Sequence, residues 1–279
     1  MSPAVRRLIN TVVSALTLLA AALVICPLLL IFGFLLYRGL SALNVDFFLH
    51  LPKPVGEPGG GVANAIVGSL IMIGMATAVA LPVGILGGAY LAESRDRRLP
   101  WILRFVADVM NGVPSIVFGI FAYTVAVIPM RRFSAFAGAL ALGLIMIPIV
   151  LRTTEEMVRL VPNSLREAGL GLGIPQWKVN LRIVIPAARA GIITGAMVSL
   201  ARIAGETAPL LFTALGNRFW HQGLDQPIAA LPLQIYAYAI APYDDWHRQA
   251  WAGALVLITL VFLASLAARV ATRGRTIAR

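Results

Sequence analysis

Arg202 and Glu206 stand four residues apart in a stretch, residues 190–217, that is otherwise uncharged. On a helix this spacing puts both side chains on one face. At the centre of a membrane helix each such charge costs about 2.5 to 3.5 kcal/mol. An exposed i,i+4 pair returns only about 0.2 to 0.5 kcal/mol, and even a stronger pair in low dielectric does not repay the burial. A purely structural ion pair is therefore the weaker reading. The stronger one is a polar passage in which the guanidinium holds an anion through paired N–H donors.

Other chemistry is excluded by what the chain lacks. Its one cysteine, Cys26, lies inside an apolar run, and His50, His221 and His247 are far apart, so neither a disulfide nor a Cys/His zinc site is expected, nor any other metal site. The two lysines, Lys53 and Lys178, follow Pro52 and Trp177, so the Gly-Lys pair of a phosphate-binding P-loop is missing. No cofactor is expected on this chain, and any ATP would be bound by another polypeptide.

The elements that must position the pair are membrane helices. Of 279 residues, 59% are hydrophobic and 13% charged, about half the charged share of a soluble domain. The net charge of +11 comes from arginines scattered between apolar runs, which points to positive-inside topology and away from nucleic acid. Long uncharged stretches place six spans at about 12–37, 63–92, 105–130, 133–152, 191–215 and 249–270. The first is longer than a signal-peptide core and reads as a retained helix. Arginines flank both termini, so both are expected in the cytoplasm and the number of spans should be even. This leaves a cytoplasmic N-terminus at 1–11, a six-span domain at 12–271 and a cytoplasmic tail at 272–279. It also leaves an outer loop at 216–248, because prolines 227, 232 and 242 argue against a seventh span at 226–243. The glycine pairs Gly84/Gly88 and Gly191/Gly195 have the spacing that lets helices meet backbone to backbone, within the bundle or across a dimer.

Residues 153–190 form a long polar connection on the cytoplasmic side, which suggests its own structure or a partner. Pro162 should interrupt any helix arriving from the fourth span, and Ser164 with Glu167 has the form of a capping box that starts a new one. That helix would carry Leu165, Ala168 and Leu172 along one face before Gly173 and Pro175 end it. Such a stripe fits a groove on another protein.

Within this loop, Glu167-Ala168-Gly169, then Gly173, then Ile183-x-Ile185-Pro186 resembles the EAA loop of ABC-importer permeases, with Gly169 in place of an alanine and Ile185 in place of a leucine. The segment Arg202-x-x-Gly205-Glu206-Thr207-Ala208-Pro209-Leu210 is similar to the signature of PstA-type phosphate permeases, and Gly112-Val113-Pro114-Ser115-Ile116-Val117-Phe118-Gly119 also looks like that family. The resemblance implies an all-α, six-helix bundle of the type I ABC-importer kind, with a cytoplasmic coupling helix, in a bacterial inner membrane. It implies a non-catalytic subunit importing inorganic phosphate. Its partners would be a second, PstC-like permease, two PstB-like ATPase subunits that carry ATP and magnesium, and an external PstS-like phosphate-binding protein. Arg202, Glu206 and Thr207 would line the substrate path, with Pro114 and Ser115 as secondary candidates. Leu165, Glu167, Ala168, Gly169, Leu172, Gly173 and Pro186 would serve the ATPase contact. A permease for another oxyanion, sulfate or molybdate, is the nearest alternative, since an arginine does not by itself select phosphorus. An ATP-independent channel or secondary transporter is the more distant one, because it would need a chain of membrane carboxylates as a relay.

Overall fold

The computed structural model describes residues 2–54, 57, 59–94, 96 and 98–273. Its apolar sequences become long helices because a backbone in hydrocarbon must satisfy its own hydrogen bonds. Helix α1 (Pro3–Gly39) leads through a 3-10 turn to the short α2 (Val45–Leu49), then to α3 (Ala63–Glu93) and α4 (Arg98–Gly112). α5 (Ser115–Ala122) continues through a π-helical segment, Tyr123–Val127, into α6 (Ile128–Met130). α7 (Ala135–Arg159), α8 (Asn163–Gly171) and α9 (Gln176–Val179) follow, and a second π-helical segment, Asn180–Val184, joins α9 to α10 (Ile185–Ala204). The last elements are α11 (Ala208–Leu211), α12 (Leu231–Ala239) and α13 (Asp244–Arg273). Among the described residues there is no strand, only one bridge between Leu215 and Ile228.

Among the described residues, five helical stretches are long and apolar enough to cross a membrane: Pro3–Ala42, Ala63–Glu93, Ala135–Arg159, Gln176–Ala204 and Asp244–Val270. A sixth candidate is the pair Arg98–Gly112 and Ser115–Met130, bent by 104°. The stretch expected as one span at 105–130 is thus two helices at a sharp angle. Pro114 supplies no N–H and pushes the residue before it out of the helical region. The helix expected at 133–152 starts after Ser134, whose hydroxyl accepts from the Ala137 N–H at 3.1 Å, and continues to Arg159. It thereby takes up residues expected in the polar loop. The stretch expected as a span at 191–215 stops being helical at Ala204. Of the expected tail, residues 274–279 lie outside the described residues, as do Arg95 and Arg97.

The core is the contact of α3 with α7, where Met72, Leu142, Met146 and Val150 are buried together with Ile203 of α10. Both glycine pairs pack on α7, inside the chain. A Cβ on Gly84 would lie 2.7 Å from Val150 Cβ, and one on Gly88 would strike the Leu151 carbonyl oxygen and come 2.7 Å from Thr154 Cβ. On the other side of α7, Gly191 lies against Met157 and Gly195 against Thr153. Backbone cannot yield as a flexible side chain can, so Gly88→Ala is expected to destabilise the bundle by about 1–3 kcal/mol, the range for overpacking. A lowered melting temperature of the purified protein in detergent would show it; an unchanged one would place the α3–α7 contact elsewhere.

Residues 226–243 are neither a span nor a pendant loop. α12 is nine residues long, about 13 Å at 1.5 Å per residue, too short to cross. Yet Ile228 to Leu231 are all buried, Ala229 against Gly68, and the Leu231 N–H donates to Ser69 Oγ at 2.7 Å. Pro232 sits in the first turn of α12, where a missing N–H is harmless. α1, in contrast, buries only Leu35 and Gly39 and packs on α13, with Phe34 edge-on to Trp251 at 5.1 Å.

Candidate functional site

α10 arrives from the end of the bundle that carries α8 and stops half-way along α7. Gly191 faces Met157, Gly195 faces Thr153, and Ile203 is buried in the same cluster as Met146 and Val150. Gly205 caps the helix, with its N–H on the Arg202 carbonyl at 3.2 Å. Glu206 and Thr207 are non-helical, and Pro209 lies in the first turn of the four-residue α11. The charged pair therefore sits at a break where α10 ends, not within a continuous helix. The reason is local: glycine is a weak helix former, and Pro209 has no N–H to carry the helix on. A broken helix is tolerated at membrane depth only where protein or a water-filled cavity meets the freed groups, and such breaks place helix ends and side chains at transporter midplanes.

The Arg202 side chain is 52% exposed and that of Glu206 15%, with Nε and Oε1 3.8 Å apart. This is too long for a hydrogen bond, so the two are paired by proximity alone. Among the described residues the guanidinium donates no hydrogen bond to protein, which leaves its N–H fork available to an oxyanion.

The second motif meets this one. α5 packs on α11, where a Cβ on Gly119 would lie 2.6 Å from Pro209 Cα. Pro114 is exposed and Ser115 half-buried, at the 104° bend. The structure gives neither side chain a contact with Arg202.

The loop motif forms α8 together with the lead into α10. The helix begins at Asn163, directly after Pro162, and no side chain caps it. The expected capping box is therefore not made: Ser164 lies one residue inside the helix and Glu167 in its middle, exposed. α8 ends in a Schellman turn, with Ile174 N–H on Gly169 O and Gly173 N–H on Leu170 O, which requires the left-handed φ of +73° at Gly173. Leu165, Ala168 and Leu172 are exposed, Leu172 to 80%. Gly169 faces inward, where a Cβ would come 2.9 Å from Ile183 Cδ1 and 3.0 Å from Val179 Cγ2. Glycine in place of the usual alanine thus brings α8 closer to the π-helical segment. Pro186 is exposed in the first turn of α10.

Two ion-pair centres were not anticipated from the sequence. Glu155, 1% exposed, receives Arg104 at 2.5 Å, Arg159 at 2.6 Å and Arg152 at 2.8 Å. Arg152 also meets Asp108 at 3.0 Å, and Arg104 donates to the Leu91 carbonyl at 2.7 Å. Nearby, Arg166 pairs with Glu93 at 2.8 Å. The first centre had a signal, since Arg152, Glu155 and Arg159 share one helix face if α7 is carried past 152. The second joins residues 73 apart and had none.

Residues 84–276 match the family model described as "Binding-protein-dependent transport system inner membrane component". The chain is similar to the phosphate transport system permease protein PstA of Xylella fastidiosa, 47% identical over 95% of this chain and 92% of that protein. It is 45% identical to PstA of Pasteurella multocida over 95% of each chain. It is 37% identical to PstA 1 of Mycobacterium tuberculosis over 97% of this chain and 92% of that one. Among solved structures, an inward-facing MetNI methionine ABC transporter superposes with a TM-score of 0.62 at 18% identity, covering 78% of this chain and 95% of its counterpart. That likeness concerns the fold, an ABC type I importer permease bundle. The helices, the bundle and the relatives agree: this multi-pass membrane chain belongs to the binding-protein-dependent inner-membrane transport components and, among them, to the PstA phosphate transport permeases.

Proposed function

We propose that the chain is a membrane subunit of an ATP-driven importer of inorganic phosphate. The observation that carries this is the break at Gly205–Thr207: it holds a half-exposed arginine where α10 ends, with its donors free and a carboxylate 3.8 Å away. The names of the relatives supply the substrate. Arg202, Glu206 and Thr207 line the path, and the bend at Pro114 and Ser115 forms part of its wall through the contact of Gly119 with Pro209.

Both termini and α8 face the cytoplasm in this reading, because sixteen of the 23 basic residues then lie on that side. α8 offers Leu165, Ala168 and Leu172 to a groove of a separate ATPase subunit, which binds ATP and magnesium; this chain itself is not catalytic. A second permease and an external binding protein complete the assembly.

Uptake of labelled phosphate by cells lacking the chain, with labelled sulfate as control, tests the substrate. Loss of phosphate uptake alone is expected; unchanged phosphate uptake, or loss of sulfate uptake instead, would reject the reading. The docking face has its own test. Ala168→Asp places a charge in the exposed apolar stripe, so the ATPase subunit is expected to be lost on co-purification while the permease remains in the membrane. Retention of the subunit would remove α8 from the interface.

A further inference from the structure

We propose that Arg166 and Glu93 are positioning residues that carry displacement of α8 into the transmembrane bundle. The proposal rests on the reading of α8 as the ATPase-docking helix. Glu93 is the last residue of α3, and Arg166 lies on the inward side of α8. Their side chains are only 10% and 16% exposed. The guanidinium meets Glu93 Oε1 through Nε at 2.9 Å and through Nη2 at 2.8 Å. Nη2 also donates to the Val158 carbonyl at 2.8 Å, and Nη1 to the Val161 carbonyl and to Asn163 Oδ1 at 3.2 Å. On the other carboxylate oxygen, the Asn180 amide, turned with its nitrogen toward acceptors, donates to Glu93 Oε2 at 3.2 Å and to the Gln176 carbonyl at 3.3 Å. Asn180 opens the π-helical segment that continues into α10. One ion pair therefore joins the end of α3, the end of α7, α8 and the lead into α10.

Stability alone does not account for this choice of residues. A nearly buried ion pair is often no better than an apolar pair of the same volume. What an arginine fork adds is direction: several donors in one rigid plane fix the orientation of the groups they bind. The apolar stripe of α8 faces outward, so its inward attachments are this fork and the Gly169 contact with Val179 and Ile183. A push or pull on the outer face reaches the bundle through them and through the short connections of α8 to α7 and α9. From Glu93 it enters α3, which Gly84 and Gly88 lock onto α7. From Asn180 it enters α10, whose last turn carries Arg202. Spatial intermediacy is not yet coupling, and a transport stoichiometry measures the coupling directly.

The complete transporter, reconstituted in proteoliposomes with its ATPase subunits, second permease and binding protein, is assayed for labelled inorganic phosphate taken up per ATP hydrolysed. Glu93→Gln is nearly isosteric and its single carbonyl oxygen still accepts from Arg166, but it removes the charge and turns an NH2 donor toward Asn180. The expected result is continued ATP hydrolysis with uptake per ATP lowered by about tenfold, as for weakening one charge-assisted link. Arg166→Lys keeps the charge and loses the fork, and the same ratio should fall. It is also the variant to use if Glu93→Gln does not assemble. A wild-type ratio in either assembled variant overturns the proposal, and a lowered melting temperature with that ratio unchanged makes the pair merely structural. Absence of the ATPase subunit from the purified wild-type complex would instead reject the docking reading beneath it.

Discussion

Arg202→Gln is expected to reduce phosphate uptake by about 10- to 150-fold without removing the protein from the membrane. The size follows from losing a hydrogen bond between charged groups, about 1.5–3 kcal/mol, at about 1.4 kcal/mol per factor of ten. The survival of the fold follows from geometry. The side chain is half-exposed, its ion pair with Glu206 is 3.8 Å long, and its neighbours Ile203 and Ala204, not Arg202, are in the packed core. Glutamine is shorter and adds no bulk. The change leaves Glu206 without its cation, so the double variant Arg202→Gln/Glu206→Gln is the control. If the anion donor is what matters, uptake stays low with both charges gone. Recovery of uptake in the double variant would show instead that an unbalanced carboxylate blocks the path. Normal uptake in the single variant would take Arg202 off the path altogether.

The largest effect on stability is expected at Glu155. Truncating one partner of a buried pair costs about 3–5 kcal/mol because the other charge is left uncompensated, and here one carboxylate serves three arginines. The lower end, about 3 kcal/mol, applies, since Arg159 is half-exposed and Arg152 keeps Asp108. Glu155→Gln should therefore lower both the amount of protein in the membrane and its melting temperature in detergent. α4 should loosen first, because Arg104 and Asp108 are its links to the end of α7. Protease sensitivity of the α4 segment reads this directly. An unchanged melting temperature would mean that the arginines find other acceptors.

Both residues are charged and both lie on long helices of the bundle, yet only Arg202 was legible in the sequence. It stands against an apolar background, where a single charge is conspicuous. Glu155 lies among Arg152, Thr153, Thr154, Glu156 and Arg159, and polar density of that kind reads as a solvated loop until α7 is known to continue through it. The glycine pairs announced close packing, because only a missing side chain allows it, but not that α7 would be the partner of both. The bend at Pro114 was written in the proline, and the apolar residues around it made one straight span look sufficient. The break at Gly205 was concealed in the same way, since hydropathy counts residues and does not ask whether they stay helical. The Arg166–Glu93 link depends on bringing together residues 73 apart, which no local pattern encodes.

The way α1 is held also sets an order of assembly. Of the described helices it is made first, and the helix it packs on most is α13, made last. Through the synthesis of every intervening helix, α1 must remain in the bilayer as a lone rod, its long apolar surface covered by lipid or by a neighbouring protein. A helix that is uncharged from Leu8 to Tyr37, with its arginines at the two ends and its hydrogen bonds closed internally, can do so. The clasp of Gly39 and Phe34 on Trp251 then closes at the end of synthesis, so a chain arrested before α13 would carry a complete α3–α7 core and an undocked first helix.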